Sequence, residues 1–558
     1  MTNGPDTLNR GGDVEKREGI TGAMNDPRRE VAGATGGATG LTLKRQIKSR
    51  HSQMIAIGGI IGTSFFVVIG QSLYAGGPGF LLAAYSLVCL AVYGVATAIV
   101  EVGAFLPVTG ATMSMHCSRY VSKSLGVALG YLYFYSFGII APYEATAATV
   151  LIDYWPQQVD VAVWVTLLLA GIIALNCFPV GLYAESEFWF AGIKVILIVG
   201  LLILSVVLIL GGGPDHHRLG FYYWVDPGAT KEFIVGGASG RFVAFLYCVI
   251  QAQFSFSFSP ELIIVTSGEM ENPRKNLPRA VRTMFWRLVL FYLLGVIAIG
   301  AICPSNAPGL VSGAGNVNAS PWVIAIRNAG IEILPSIVNA AVLTSAWSSG
   351  SSFLYLSSRS LYSLAANGDA PKIFMRCNRW GLPYYAVLAS AAFSPLAYLV
   401  CNTDGRVVLN WFVGLTNTAG YTSWVVCCFT YCRFRKACKA QGVTPTYHSY
   451  IQPYAAWICM FFFTALCFLN GFTVFFSGRW STASFVSSYL GIPVFLILFI
   501  GHKMTLGRED PWLYPSPQVD LTTGLETIEE MTQAYIEAEL ESPGKSGVLR
   551  CRLSHLFL

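Results

Sequence analysis

Long apolar runs recur along most of this chain, and the short stretches between them carry most of its charge. A helix needs about 20 apolar residues to cross the hydrocarbon of a bilayer. Twelve such runs can be counted, centred near residues 63, 91, 138, 169, 199, 254, 294, 349, 393, 420, 466 and 493. Residues 1 to about 45 are rich in Gly, Thr, Asn and Asp and contain no apolar run. They lack a signal-peptide core and read as a disordered cytosolic tail. Residues 506–558 return to mixed polarity, with an acidic run around Glu526, Glu529 and Glu530, and read as a second cytosolic tail. The expected architecture is an all-α polytopic membrane protein whose helical domain spans residues 46–505.

Composition supports that reading and removes others. Hydrophobic residues make up 54% of the 558 positions and charged residues only 12%, against about 25% in soluble domains. So little charge cannot coat several globular surfaces, which excludes ordinary cytosolic enzymes, disordered proteins and secreted disulfide scaffolds. Most of the 14 cysteines lie inside apolar runs, as Cys89, Cys248, Cys427 and Cys428 do, and read as small buried hydrophobes. Net charge is a modest +6, and its placement is informative. One set of loops, with residues such as Arg50, Arg119, Lys275, Arg376 and Lys436, outweighs the alternate set in Lys and Arg by about four to one. That bias sets both termini on the cytosolic side, and the charge is an orientation code rather than a sign of a nucleic-acid partner. The stretch before the fifth run breaks the pattern, with Glu185 and Glu187 and no base.

Two runs are interrupted. The first contains Gly58-Gly59-Ile60-Ile61-Gly62-Thr63-Ser64, poor helix material because each Gly costs about 1 kcal/mol against Ala. It is either a small-residue packing seam or an unwound segment that offers backbone groups to a polar ligand. The sixth run contains Phe254-Ser255-Phe256-Ser257-Phe258-Ser259-Pro260-Glu261, where Pro removes a donor and serines supply hydroxyls. Counted from the loop charges, both breaks fall near the bilayer midplane, in helices of opposite direction and five helices apart. That is the pattern of an inverted five-helix repeat around a central solute site.

Few ionisable residues lie inside the runs: Glu101, Glu144, Lys194 and Glu261. A charge at the bilayer centre costs at least about 2.5–3.5 kcal/mol, so each is a functional candidate. Glu101 ends its run and can snorkel to the interface. Lys194 sits seven residues past Glu187 and suits either proton coupling or a structural pair. Glu144 is either its partner or a ligand for a substrate ammonium. The hydroxyl-rich stretch Thr344–Ser352 in the eighth run suits close packing, with some hydroxyls able to face the site. All seven histidines fall in tails, loops or run ends. With no nucleophile–base or metal set inside the runs, an intramembrane enzyme is disfavoured, and no cofactor or metal is expected.

These residues carry a family likeness. The blocks MIAIGGIIGT, AGGPGFLLAAY, EVGAFLPVTG, EFWFAGIKV, SGEMENPRKNLPRAV and LTSAWSSGSSFLYLSSRSLYSLAANGDAPK, with GHKM and VDLTTGLETIEE near the end, resemble the fungal amino-acid permeases of the amino acid–polyamine–organocation superfamily. WRLVLFYLLGVIAIG and NAGIEILPSIVNAAVLTSAWSSG look closest to the proline-permease branch. The resemblance covers about residues 41 to 535. It implies a twelve-helix, LeuT-like fold with helices 1 and 6 broken, in a plasma-membrane importer that couples amino acids to protons. It assigns the substrate carboxylate to Gly59, Ile60, Gly62, Thr63 and Ser64. The amino group and an aromatic gate fall to Phe254, Phe256 and Phe258, and a helix 3 carboxylate to Glu144. Lys194 stands where sodium-coupled relatives hold an ion. The chain departs from the family at Ser64, in a block that usually reads Gly-Thr-Gly-Leu-Phe, and at Ser259, which replaces a usual glycine. Both add bulk at the expected site. The expected partners are a neutral amino acid, foremost proline, with protons and the lipid bilayer. GABA, another amino acid, or a non-transporting sensor on the same fold are the alternatives.

Overall fold

The computed structural model describes residues 62–107, 112–156, 158–214, 216–267, 272–311 and 320–541. Among these residues the secondary structure is helical, with no strand. The first long helix, α1 (Ile69–Phe105), is two helices joined at a corner, because Gly77 takes φ 77° and ψ 174° ahead of Pro78. The corner is closed from outside: the N–H of Gly79 donates to the Ala229 carbonyl at 2.7 Å, and the N–H of Lys231 donates to the Gly76 carbonyl at 3.1 Å. A Cβ on Gly77 would sit 2.9 Å from that Ala229 oxygen, so both the positive φ and the close approach require glycine.

Next come α2 (Met113–Tyr120), α3 (Lys123–Ile152), α4 (Val161–Asn176) and α5 (Val180–Ile209). Thr112, Ser122 and Asp160 accept first-turn N–H groups of α2, α3 and α4 and fix where those helices start. Helices α6 (Gly237–Phe256) and α7 (Ser259–Ser267) are separated by the predicted break, and α8 (Pro273–Leu288) passes through a π turn into α9 (Leu294–Ile302). The remaining helices are α10 (Pro321–Asn328), α11 (Leu334–Ala366), α12 (Tyr384–Ala391), α13 (Gly405–Gln441), α14 (Tyr454–Leu469), α15 (Thr482–Tyr489), α16 (Gly491–Met504) and α17 (Leu525–Glu541).

Among the described residues, six stretches are long and apolar enough to cross a membrane: Ile69–Phe105, Lys123–Ile152, Val180–Ile209, Gly237–Val265, Pro273–Ile302 and Tyr384–Cys401. The pair α15–α16, bent by 43°, supplies a seventh, and α4 and α14 are shorter apolar helices. The count of twelve thus remains one made on the sequence. Much of the first expected span lies outside the described residues.

Packing reverses the pattern of a water-soluble helix on α5. Its buried stripe reads Glu187, Ala191, Lys194, Ile198, Leu201 and Ser205, spaced by alternating fours and threes, which is one face of a helix. Its outward face carries Trp189, Ile196 and Ile203, all exposed. Because α5 starts at Val180, Glu187 is a buried helical residue and not part of a loop without bases, which corrects the expectation for that stretch. Helix α11 lies along α3, α1 along α6, and α13 packs on both α3 and α14.

Glu101 is also placed differently from expectation. It does not snorkel but is fully buried. It accepts from Tyr431 Oη at 2.9 Å, Arg435 Nη1 at 3.2 Å and the Ser449 N–H at 2.7 Å, with His448 Nδ1 at 3.1 Å. One carboxylate thus ties the end of α1 to α13 and to the loop that follows it.

In the stretch after Met504, the segment from Tyr514 to Thr523 is held against the helical body. Arg119 donates to the carbonyls of Asp520 at 2.8 Å and Thr523 at 2.7 Å, and pairs with the Asp520 carboxylate at 3.1 Å. Gln441 donates to the Ser516 and Val519 carbonyls, Arg433 to the Tyr514 carbonyl, and the Tyr514 N–H to Val121. Partial burial by itself would raise the Asp520 carboxyl. The Thr523 donors and the Arg119 charge outweigh it and hold the group below the usual carboxylate range.

Glu101→Ala strands several donors that now point at one carboxylate. Hydrogen bonds to charged groups contribute about 1.5–3 kcal/mol each, and partial exposure of Arg435 screens its share. Thermal unfolding in detergent is expected to show a loss of at least about 2 kcal/mol, with Glu101→Gln intermediate. An unchanged unfolding midpoint in Glu101→Ala would show that the knot is not structural.

Candidate functional site

At the first break the backbone enters extended, with Gly62 at φ −103° and ψ −171°, and then makes a single 3-10 turn over Thr63–Phe65. Thr63 and Ser64 are both buried on this turn. The Thr63 hydroxyl donates to Glu144 Oε2 at 2.7 Å, and Ser349 Oγ of α11 donates to Glu144 Oε1 at 2.9 Å. A Cβ on Gly62 would sit 2.8 Å from Glu144 Oε1, so this position admits the carboxylate because it has no side chain. Gly59 and Ile60, the other residues expected on this segment, lie outside the described residues.

The second break is complete. Ser257 turns extended at ψ 126° and Phe258 takes φ 57°, the left-handed region. Two hydroxyls bond the interrupted backbone directly, and a third bonds a side chain on it. Ser259 donates to the Phe256 carbonyl at 2.8 Å, Tyr292 donates to the Ser255 carbonyl at 2.8 Å, and Tyr85 and Ser255 share a bond at 3.0 Å. Ser259, which adds bulk relative to the family's usual glycine, supplies the cap for the end of α6.

Tyr143 joins the two breaks. Its ring meets Phe254 edge-on at 4.7 Å, and its hydroxyl lies 3.5 Å from that of Thr63. The other two phenylalanines point elsewhere. Phe256 packs on Tyr292 at 4.8 Å and near Tyr85, and Phe258 packs on Phe137 of α3 at 5.0 Å. The structure therefore brings Gly62, Thr63, Glu144 and Phe254 into one node and sets Phe256 and Phe258 against opposite walls.

Two residues that the sequence reading passed over belong to the same region. Gln253, one turn before the break, is fully buried, and neither end of its amide has a hydrogen-bond partner among the described residues. Its Nε2 comes within 2.6 Å of where a Cβ on Gly420 would lie. A buried amide satisfied by nothing around it is the kind of group that water or a solute completes. The signal in the sequence was a glutamine inside an apolar run directly ahead of a break. The second residue is Glu187. Lys194 Nζ lies 3.9 Å from Glu187 Oε1, with both side chains buried, and Ser348 donates to Glu187 Oε2 at 2.7 Å. Glu144 also acts on the Lys194 charge from α3. The signal here was spacing: seven residues on a helix share a face.

The result is a 3-10 turn at Thr63–Phe65 and the broken pair α6–α7, joined through Tyr143, beside the buried Lys194–Glu187 pair. Residues 51–514 match the family described as amino acid permease. The chain belongs to that family. The permease is 43% identical over 502 residues to the proline-specific permease of Emericella nidulans, covering 89% of this chain and 91% of that one. It is 40% identical over 513 residues to the proline-specific permease of Saccharomyces cerevisiae, covering 90% of this chain and 82% of the other. Its fold is that of a manganese transporter mutant from Eremococcus coleocola, with a TM-score of 0.52 at 14% identity over 88% of this chain and 95% of that one. The permease is thus a multi-pass membrane transporter on the expected broken-helix, inverted-repeat fold.

Thr63→Val keeps the shape of the turn but removes the donor to Glu144. Leaving a buried carboxylate short of one bond costs about 1.5–3 kcal/mol, and about 1.4 kcal/mol is tenfold. Amino-acid uptake is expected to fall about tenfold at unchanged surface expression, with Thr63→Ser close to wild type. Equal uptake by the Val and Ser variants would mean that the Thr63–Glu144 bond has no part in transport.

Proposed function

We propose that the permease is a proton-coupled importer of neutral amino acids, proline foremost. In this reading it is a twelve-span protein of the plasma membrane with both termini cytosolic, and it works by alternating access. The observation that carries the reading is Lys194, buried at the α5–α11 seam and paired with Glu187, with the Glu144 charge acting on it from α3. Glu144 in turn grips the helix break through Thr63. An intramembrane charge of this kind is costly and marks an ion or proton pathway. The two relatives described as proline-specific permeases support the substrate class.

In the proposed cycle the substrate carboxylate meets the backbone at Gly62–Ser64, and the family resemblance assigns Gly59 and Ile60 to the same role. The substrate ammonium meets the carboxyl end of α6, where the helix dipole favours positive charge. Phe254, with Phe256 and Phe258 behind it, covers the solute. Gln253 completes its unused amide bonds on the occupied site or on water. Lys194 takes a proton while the site faces outward and releases it after the helices rock. Glu144 holds the proton state and the break conformation together, because its two oxygens answer to Thr63 and Ser349.

Reconstituted vesicles test the coupling. Wild type is expected to accumulate labelled proline when the outside is acid relative to the lumen, and Lys194→Ala is expected to equilibrate without accumulating. Gradient-driven accumulation by the Lys194→Ala variant would sink the lysine assignment. A panel of unlabelled competitors tests the substrate: proline should displace the label more strongly than GABA, acidic or basic amino acids. A stronger effect from any of those would reassign the substrate.

A further inference from the structure

Two carboxylates act on Lys194, and they are bonded differently. Glu144 has both oxygens occupied, by Thr63 and Ser349. Glu187 has one oxygen occupied, by Ser348. Its Oε1 has no hydrogen-bond partner among the described residues and is the oxygen 3.9 Å from the Lys194 ammonium. One carboxylate is closed and looks to the helix break, and the other has an open valence toward the lysine.

The polar groups continue beyond Glu187. Tyr183, one turn nearer the start of α5, is buried with its hydroxyl unpartnered among the described residues, and its ring stacks on Tyr355 of α11 at 4.5 Å. On the far face of that ring lies the Arg359 guanidinium, 4.6 Å from the centroid, and its three nitrogens are buried without a hydrogen-bond partner. Lys194, Glu187, Tyr183 and Arg359 thus form a column along the α5–α11 seam. From Lys194 to Tyr183 is eleven residues, or roughly 16 Å at 1.5 Å per residue, toward the end of α5 that faces the cytosol in the reading above. The groups facing Glu187 are Lys194 and Tyr183 on its own helix, Ser348 and Ser352 on α11, and Glu144 on α3 beyond the lysine. A structural ion pair needs neither an unsatisfied tyrosine nor an unsatisfied guanidinium beside it, and in hydrocarbon both are costly. Their alignment has the form of a path that water completes.

We infer that Glu187 is the proton relay between Lys194 and the cytosolic side, with Tyr183 and Arg359 marking the exit along the α5–α11 seam. This deepens the proton-coupled reading and rests on it. The step balances: an N–H bond of the Lys194 ammonium breaks and an O–H bond forms at Glu187 Oε1, leaving a neutral amine and a neutral acid. Glu187 then gives the proton to water on the cytosolic side and returns to a carboxylate, which the Arg359 charge favours. The amine is left ready to be reprotonated from outside, through the face that Glu144 occupies.

The test uses purified full-length protein in proteoliposomes with labelled proline and two assays. Net uptake driven by a pH gradient requires proton release into the lumen, whereas exchange of proline at equal pH on both sides does not. Glu187→Gln keeps the size and one acceptor but cannot ionise. It is expected to lower net uptake at least about tenfold, at the low end for loss of a positioned proton-transfer group, and to abolish its dependence on luminal pH. Exchange should fall no more than about twofold, a difference within ordinary mutational scatter. Glu187→Asp should restore the luminal-pH dependence in part. Equal loss of both assays, or equal retention of both, overturns the relay. Should Glu187→Gln not fold, Tyr183→Phe serves instead: a shifted luminal-pH profile supports the path, and an unchanged one overturns it. Wild type without any gradient response would fail the proton-coupled reading itself. A coupled wild type with a fully coupled Glu187→Gln would fail the relay alone.

Discussion

A helix that stops inside hydrocarbon must find partners for the backbone groups it releases, and the core of this permease is arranged around that requirement. Each break is held by side chains from other helices. Glu144 of α3, itself bonded by Ser349 of α11, accepts the Thr63 hydroxyl, while at the break between α6 and α7 Tyr292 donates to the Ser255 carbonyl and Tyr85 bonds the Ser255 hydroxyl. The partners of the broken segments are therefore also the contacts through which those segments act on the rest of the molecule. A solute that changes the bonding at Thr63 changes the load on Glu144, and with it the field at Lys194. In the proposed proton-coupled cycle, coupling between solute and ion needs no long pathway, because it passes through one carboxylate with two occupied oxygens.

The same solvent logic explains α5. In water its stripe of Glu187, Lys194 and Ser205 would face out and Ile196, Ile203 and Trp189 would face in. Lipid reverses the preference. The charged residues are enclosed by α3 and α11, where they meet one another and serine hydroxyls. Dispersion contacts with lipid replace the apolar core that a soluble helix would need.

Much of this was legible in order along the chain. The apolar runs, the paired breaks and the residues Thr63, Glu144, Lys194 and Phe254 were all marked by local pattern: glycine and proline where helix should continue, and a charge where none is cheap. What escaped depended on partners distant in sequence. Glu187 reads from sequence as part of an acidic loop without a base, because nothing local announces the helix start at Val180, although its seven-residue spacing from Lys194 is in view. Glu101 was read as snorkelling, since nothing near it in sequence announces Tyr431, Arg435 or the Ser449 amide more than 300 positions away. Gln253 is marked in the sequence only as a polar residue in an apolar run ahead of a break, and its burial without a partner among the described residues is what singles it out. Phe256 and Phe258 share the two-residue spacing of Phe254, but the left-handed turn at Phe258 sends them to different walls.

The docked segment after Met504 has a lopsided chemistry. Its anchors, Arg119, Gln441 and Arg433, belong to the helical body, and what they grip is mostly main chain: the carbonyls of Asp520, Thr523, Ser516, Val519 and Tyr514. A carbonyl is offered by every residue type, so the strap can drift in sequence and still be held, provided its backbone keeps its course and Asp520 keeps its turn. The grip itself has no such freedom, since replacing Arg119 alone empties two hydrogen bonds and an ion pair at once. Variation and constraint are thus divided between two surfaces that touch, with the freedom on the side of the chain that follows the last membrane helix.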